Sequence, residues 1–134
     1  MLVRALPCLL LLTALAGCSE GTDGDADVRL QWRDHPDLGS ILTDSAGMTL
    51  YLFTNDDGTS TCYDACATNW PPLLVDGEPT AAADVPGALG TAQRSDGALQ
   101  VTYDGSPLYY FHTDAAPGDA NGQGVGGVWF VIER

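Results

Sequence analysis

Two stretches of this 134-residue chain set a phenol and a carboxylate at one fixed spacing. YLFTND runs from Tyr51 to Asp56, and YYFHTD runs from Tyr109 to Asp114, 58 residues later. Both read Tyr, any residue, Phe, any two residues, Asp. Such a set can do two kinds of chemistry. The carboxylate can accept backbone N–H groups and a tyrosine hydroxyl, locking a turn against the core. Alternatively Tyr51, Phe53 and Asp56, and again Tyr109, Phe111 and Asp114, line a ligand pocket in each copy. Strand aromatics and turn aspartates serve most often as packing and caps. The first reading is therefore a duplicated structural unit, with binding as its rival. Catalysis has little to stand on. There is no G-x-S-x-G, no H-E-x-x-H and no nucleophile beside a local base. Asp56 and Asp114 would suit a hydrolase only by converging across a pseudo-twofold axis. No catalytic residue is assigned.

Cys62 and Cys66 are the other reactive pair. Four residues apart on a helical turn, their Cα atoms lie about 6 Å apart, within bridging range. In an exported protein they should form a disulfide. A thioredoxin-type pair has two intervening residues, and here there are three. A c-type haem site needs a histidine after the second cysteine, where Ala67 stands. Zinc would need two more ligands, and none has the usual spacing. His35 and His112 share no motif and read as packed or surface residues. The acidic turns Asp56-Asp57-Gly58 and Asp119-Ala120-Asn121-Gly122 miss the register of a calcium loop. No metal and no cofactor is expected.

The elements that must position these residues are strands. GSILTDSAGMTLYLF holds two β-prone runs around Asp44-Ser45-Ala46-Gly47, a hairpin signal. LGTAQRSDGALQVTYDGSPLYYF holds three more, turning at Ser95-Asp96-Gly97 and at Asp104-Gly105. GVWFVIE is a last strand. In a strand Tyr51 and Phe53 share one face, and Leu50 and Leu52 the other, so both faces should be buried. Leu108 and Tyr110 alternate with Tyr109 and Phe111 in the same way. One short helix is expected over Thr61–Asn69, capped by Ser60 or Thr61 and stopped at Pro71. APGDANGQGVGG reads as a long flexible loop. The fold class is all-β: a small antiparallel two-repeat domain, its hairpins forming a compact sandwich or barrel-like core.

The N-terminus reads as an export signal. Arg4 precedes a short apolar run, Ala5–Ala16, which ends in LAGC. It is shorter than the roughly 20 residues of a membrane span. LAGC resembles the lipobox of bacterial lipoproteins, with Cys18 as the lipidated first residue of the mature chain. That makes residues 1–17 the signal peptide and 18–27 a flexible acidic tether. The domain is then 28–134, and lipid on Cys18 is its anchor. Ser19, rather than aspartate, follows Cys18, which favours the outer membrane in a cell that has two. Beyond Cys18 the chain carries 18 acidic residues, four arginines and no lysine. Such a surface repels nucleic acid.

Two repeats span about 38–73 and 89–132. Leu38-Gly39 opens the first and Leu89-Gly90 the second, while Trp70 and Trp129 follow the two motifs. Units of this size imply stacked or pseudo-symmetric pieces, neither able to close a core alone. A lipobox followed by tandem YxFxxD units and a CxxxC…NWPP segment resembles the predicted lipoproteins with a Yx(FWY)xxD motif, the secreted repeat of unknown function. The resemblance covers nearly all of the chain from Leu38 onward. It implies an envelope address and a repeat architecture rather than a reaction. The expected role is non-catalytic binding or assembly at the membrane surface, with an envelope protein or a small ligand as partner. The alternative is an envelope redox or metal accessory protein.

Overall fold

The computed structural model describes residues 28–134. The signal segment, Cys18 and the acidic tether lie outside the described residues. The strands are β1 (Arg29–His35), β2 (Gly39–Asp44), β3 (Tyr51–Phe53), β4 (Thr80–Ala81), β5 (Leu89–Gln93), β6 (Leu99–Tyr103), β7 (Ser106–Tyr109) and β8 (Trp129–Val131). One short helix, α1 (Ala65–Asn69), and a 3-10 turn at Val125–Gly127 complete the elements. The fold is all-β. A three-stranded sheet runs β2-β1-β4 and a five-stranded sheet runs β5-β6-β7-β3-β8. The pairings are antiparallel except that of β4 with β1, which is parallel. An Ile41↔Glu133 bridge joins β2 to the chain just past β8 and so links the two sheets.

The two-sided apolar pattern of β3 and β7 is used as written, since successive side chains point to opposite faces. On one face Tyr51 and Tyr109 join Ile41, Cys62, Trp70, Trp129 and Val131 in one buried cluster. On the other, Leu50 and Leu108 join Leu30, Leu42, Leu73, Val75 and Val101. Each such side chain, fully buried, contributes about 1.5–3 kcal/mol. Between β6 and β7, Asp104 (φ 49°) and Gly105 (φ 83°) both adopt left-handed backbone, the geometry of the tightest hairpin turns.

The two repeats exchange strands. In the second repeat, β6 and β7 pair only beside their turn, at Thr102↔Pro107 and Tyr103↔Ser106. Beyond that the arms splay, and residues 71–75, from the end of the first repeat, fill the gap. Tyr110 N–H donates to Pro71 O, Leu73 N–H to Leu108 O, Val101 N–H to Leu73 O and Val75 N–H to Leu99 O. The first repeat opens likewise, and the end of the second fills it. Leu42 N–H donates to Ile132 O and Arg134 N–H to Ser40 O, while β8 pairs with β3 at Tyr51↔Val131. The two inserts match residue for residue: Leu74 bridges Gln100 where Glu133 bridges Ile41, and Pro72 bridges Tyr109 where Val131 pairs with Tyr51. Neither repeat completes its own sheet.

Four local features differ from the sequence reading. The Asp44–Gly47 turn forms, with Gly47 N–H on Asp44 O, but the inserted strand opens the hairpin beyond Thr43↔Thr49. β1 pairs with β2 as a hairpin that the charges around Leu30 and Trp32 had hidden. α1 starts at Ala65, after Asp64 at φ 55°, because Ser60 and Thr61 are drawn into side-chain bonds instead of capping it. The glycine-rich loop is pinned rather than loose. Asp119 Oδ2 accepts the N–H groups of Ala115 and Ala116, and Thr49 Oγ1 donates to Asp119 O at 2.6 Å. Among the described residues no helix is long and apolar enough to cross a membrane.

Candidate functional site

The register Tyr51↔Tyr109 between β3 and β7 places the two motif tyrosines opposite each other at the centre of the five-stranded sheet. Each then reaches the aspartate of the other repeat. Tyr51 Oη donates to Asp114 Oδ2 at 2.6 Å, and Tyr109 Oη donates to Asp56 Oδ2 at 2.5 Å. The second oxygen of each carboxylate closes its own loop. Asp56 Oδ1 accepts from Thr61 N and Thr61 Oγ1, both at 2.8 Å, and Asp114 Oδ1 accepts from Asn121 N at 2.9 Å. The motif is thus a reciprocal lock, in which each loop is tied to the neighbouring repeat's central strand.

The aromatic partners obey the same symmetry. Phe111, Trp70, Trp129 and Phe53 form a continuous stack with centroid spacings of 4.1, 3.9 and 4.1 Å. Tyr51 meets Trp70 edge-on at 5.3 Å, and Tyr109 meets Trp129 edge-on at 5.1 Å. Offset-stacked and edge-to-face pairs each add about 0.5–1.5 kcal/mol beyond burial. All eight motif and tryptophan positions singled out in the sequence therefore meet in one cluster.

The symmetry breaks where the first loop meets the β5–β6 turn. Cys62 and Cys66 are disulfide-bonded, with Cα atoms 5.2 Å apart, and the second loop has no counterpart. Closing so short a loop stabilises by about 2 kcal/mol. Against this loop lies Arg94, 5% exposed. Its Nη1 donates to Ser60 Oγ at 3.0 Å and to Gln100 Oε1 at 2.8 Å, and its Nη2 donates to Cys62 O at 2.9 Å. Ser60 Oγ also lies 2.6 Å from Tyr109 Oη. The single phenol proton goes to Asp56, so the serine hydroxyl donates to the phenol. A relay results, from the Arg94 cation through Ser60 and Tyr109 to the Asp56 carboxylate. In the second repeat a backbone group takes the serine's place: Gly122 N–H donates to Tyr51 Oη at 3.1 Å. Only glycine allows that approach, because a Cβ there would sit 2.7 Å from Trp70 and 2.8 Å from Tyr51.

Burial first, and the carboxylate each one bonds second, push the Tyr51 and Tyr109 phenols far above the ordinary tyrosine value. Burial likewise raises Asp114, against the opposing bonds from Tyr51 and Asn121. Above pH about 10 an unfolded tyrosine ionises while these two stay neutral in the fold. Their contribution is complete below that pH and is lost as pH rises toward the folded values. The slope is about 1.4 kcal/mol per pH unit for each phenol. Alkaline titration should therefore unfold the protein cooperatively, with Tyr51 and Tyr109 ionising only as near-ultraviolet circular dichroism is lost. Ionisation of all five tyrosines with that signal intact would contradict the lock.

The histidines stay apart from the cluster's polar bonds. His35 Nδ1 accepts the N–H groups of Asp37 and Leu38, and His112 Nδ1 lies 3.1 Å from Asn69 O. Sequence reasoning missed Ser60, Arg94, Gln100 and Gly122. Ser60 and Arg94 are 34 residues apart and carry no shared pattern. Gly122 carried a signal, a glycine in a loop just past the second motif, but nothing in the sequence named its neighbours.

The residues matching the family described as "Secreted repeat of unknown function" are 33–74 and 90–133. No curated protein and no solved structure matches the chain. The two matched segments coincide with the halves that exchange strands, and each contains one Tyr, one Phe, one Asp and one Trp of the cluster. The chain belongs to the family of secreted repeats of unknown function, as a tandem pair.

Proposed function

We propose that the protein is a lipid-anchored, non-catalytic binding or assembly module at the outer face of a bacterial membrane. The observation that carries the non-catalytic part is the state of the motif. Both oxygens of Asp56 and both of Asp114 accept bonds from within the protein, and both tyrosine hydroxyls donate to them. A general acid or base must instead present its proton site to substrate. The two carboxylates hold loops, so they are not poised around a water as a hydrolase pair is. The anchor part is supported by the LAGC segment at Leu15–Cys18 and by the short acidic stretch between Cys18 and β1. The domain would then sit within a few nanometres of the headgroups, with the excess of 18 acidic residues over four arginines beyond Cys18 keeping the anchored chain's surface off anionic lipid.

Cys18→Ser should remove the lipid and move the protein from the detergent phase to the aqueous phase. The mass of the membrane-extracted wild type should exceed that of its polypeptide by the lipid. A mutant that still partitions into detergent with unchanged mass would end the anchored reading.

One observation favours a second reading, an envelope redox accessory protein. The four-ring stack sits beside two phenols that each bond a carboxylate able to take the proton on one-electron oxidation. Voltammetry would decide it: a reversible wave lost in Tyr51→Phe supports the redox reading, and its absence supports the binding module.

A further inference from the structure

The reciprocal lock needs two tyrosines, two aspartates and the aromatic stack. It does not need Arg94 or the disulfide, because the second repeat builds its half without either. These unduplicated features lie together. Arg94 lines an open surface depression of about 580 Å³ with Thr59, Ser60, Tyr63, Gln93 and Ser95. Every one of these side chains is neutral except that of Arg94. The hydroxyls of Thr59, Ser95 and Tyr63 are donors for an incoming oxygen.

The guanidinium is only partly used. Three of its N–H groups donate, two from Nη1 and one from Nη2, and all three acceptors are neutral oxygens. Among the described residues Nε has no acceptor at hydrogen-bond distance. Its nearest carboxylate oxygen, Asp96 Oδ2, is 3.8 Å away, and that side chain is 61% exposed. Nε and Nη2 form the edge that carboxylates and phosphates grip in bidentate fashion. Arg94 Cζ lies 4.5 Å from the centroid of the Tyr63 ring, a cation–π contact, and Tyr63 Oη accepts Ser95 N–H, which holds the ring beside the guanidinium. A chain of net charge −13 thus keeps a nearly buried cation beside an open, hydroxyl-lined depression, with a loosely held carboxylate at its free edge.

We propose that this depression binds a small oxyanion, a carboxylate or a phosphate, which docks on the Nε–Nη2 edge of Arg94 in place of Asp96. The inference rests on the binding-module reading and gives that module a ligand class. Asp96 competes for the site and so weakens the binding of any anion there. The disulfide-tied loop supplies Ser60 and Tyr63 and holds them against the arginine.

The test is a titration of the full chain in detergent micelles with sodium acetate and, separately, sodium phosphate. Sodium chloride at equal ionic strength serves as control, and the Arg94 Nε–H and the Ser95 and Gly97 amides are read by NMR. Acetate, phosphate or both should give saturable shifts there, with Kd on the order of 1–10 mM, and the stronger of the two names the ligand type. Asp96→Asn, an exposed change, should tighten binding by about twofold to fivefold, the worth of a weak surface ion pair. Arg94→Lys keeps the charge but not the fork, and should abolish saturation; if it fails to fold, the Asp96→Asn comparison decides alone. Responses no different from chloride, or an Asp96→Asn Kd equal to wild type, would overturn the site. Saturable shifts at some other patch would overturn it as well, while leaving the module's binding role standing.

Discussion

Tyr51→Ala and Tyr109→Ala should each lower the stability of the folded chain by about 3–5 kcal/mol, the range for removing a buried aromatic ring. Neither side chain has any exposed surface. Truncating Tyr51 deletes its edge contacts with Trp70 and Phe111 and strips Asp114 Oδ2 of its donor. Truncating Tyr109 does the same to Trp129 and to Asp56. Asp56→Ala and Asp114→Ala should cost less, about 1–3 kcal/mol, by leaving loop donors and a phenol unpaired. Because a domain of this size is stable by only about 5–15 kcal/mol, the tyrosine variants should melt far earlier in urea, with no ligand present. Unchanged melts for both tyrosines would move the motif out of the core and into a binding site.

The second large effect concerns the halves. A single cut between Gly77 and Glu78, in an exposed stretch of the inter-repeat segment, should leave the protein assembled as two chains. Each half made alone should be unfolded. The first half lacks the strand that fills its own β2–β3 gap, and its residues 71–75 have no hairpin to enter. The second half is in the same position with residues 129–134. Mixing should restore near-ultraviolet circular dichroism and a cooperative melt whose midpoint rises with concentration, as mass action requires. A first half that folds and melts cooperatively by itself would show that the strand exchange is not what closes the sheets.

Much of this was legible in the residues, for definite reasons. Period-two alternation around Tyr51 and Tyr109 predicts a strand buried on both faces, and both clusters exist. Asp104-Gly105 predicts a hairpin because glycine accepts positive φ, and β6 turns into β7 there. The cysteine spacing allows the bridge that forms. What stayed hidden was non-local. A Tyr and an Asp five residues apart read as partners within one motif, whereas each bonds across 53 or 63 residues to the other repeat. Sequence spacing reports neighbours along a strand and says nothing about which strand lies beside it. The opened Asp44–Gly47 hairpin has the same cause, since its competitor is a strand some eighty residues downstream. The anchoring of the glycine-rich loop through Asp119 and Gly122 was hidden because glycine content reports backbone freedom and not the bonds that remove it.

Reciprocity is the central claim, and double-mutant cycles between tyrosine and aspartate test it most directly. Tyr51→Phe and Asp114→Asn, alone and together, should show a coupling of about 1–3 kcal/mol in urea melts, as contacting residues in one hydrogen-bonded network do. Tyr51→Phe with Asp56→Asn, its partner within the same motif, should add to within about 0.5 kcal/mol. Tyr109 should mirror this, coupling to Asp56 and not to Asp114. Coupling within each motif and additivity between repeats would contradict the exchange on which the whole account rests.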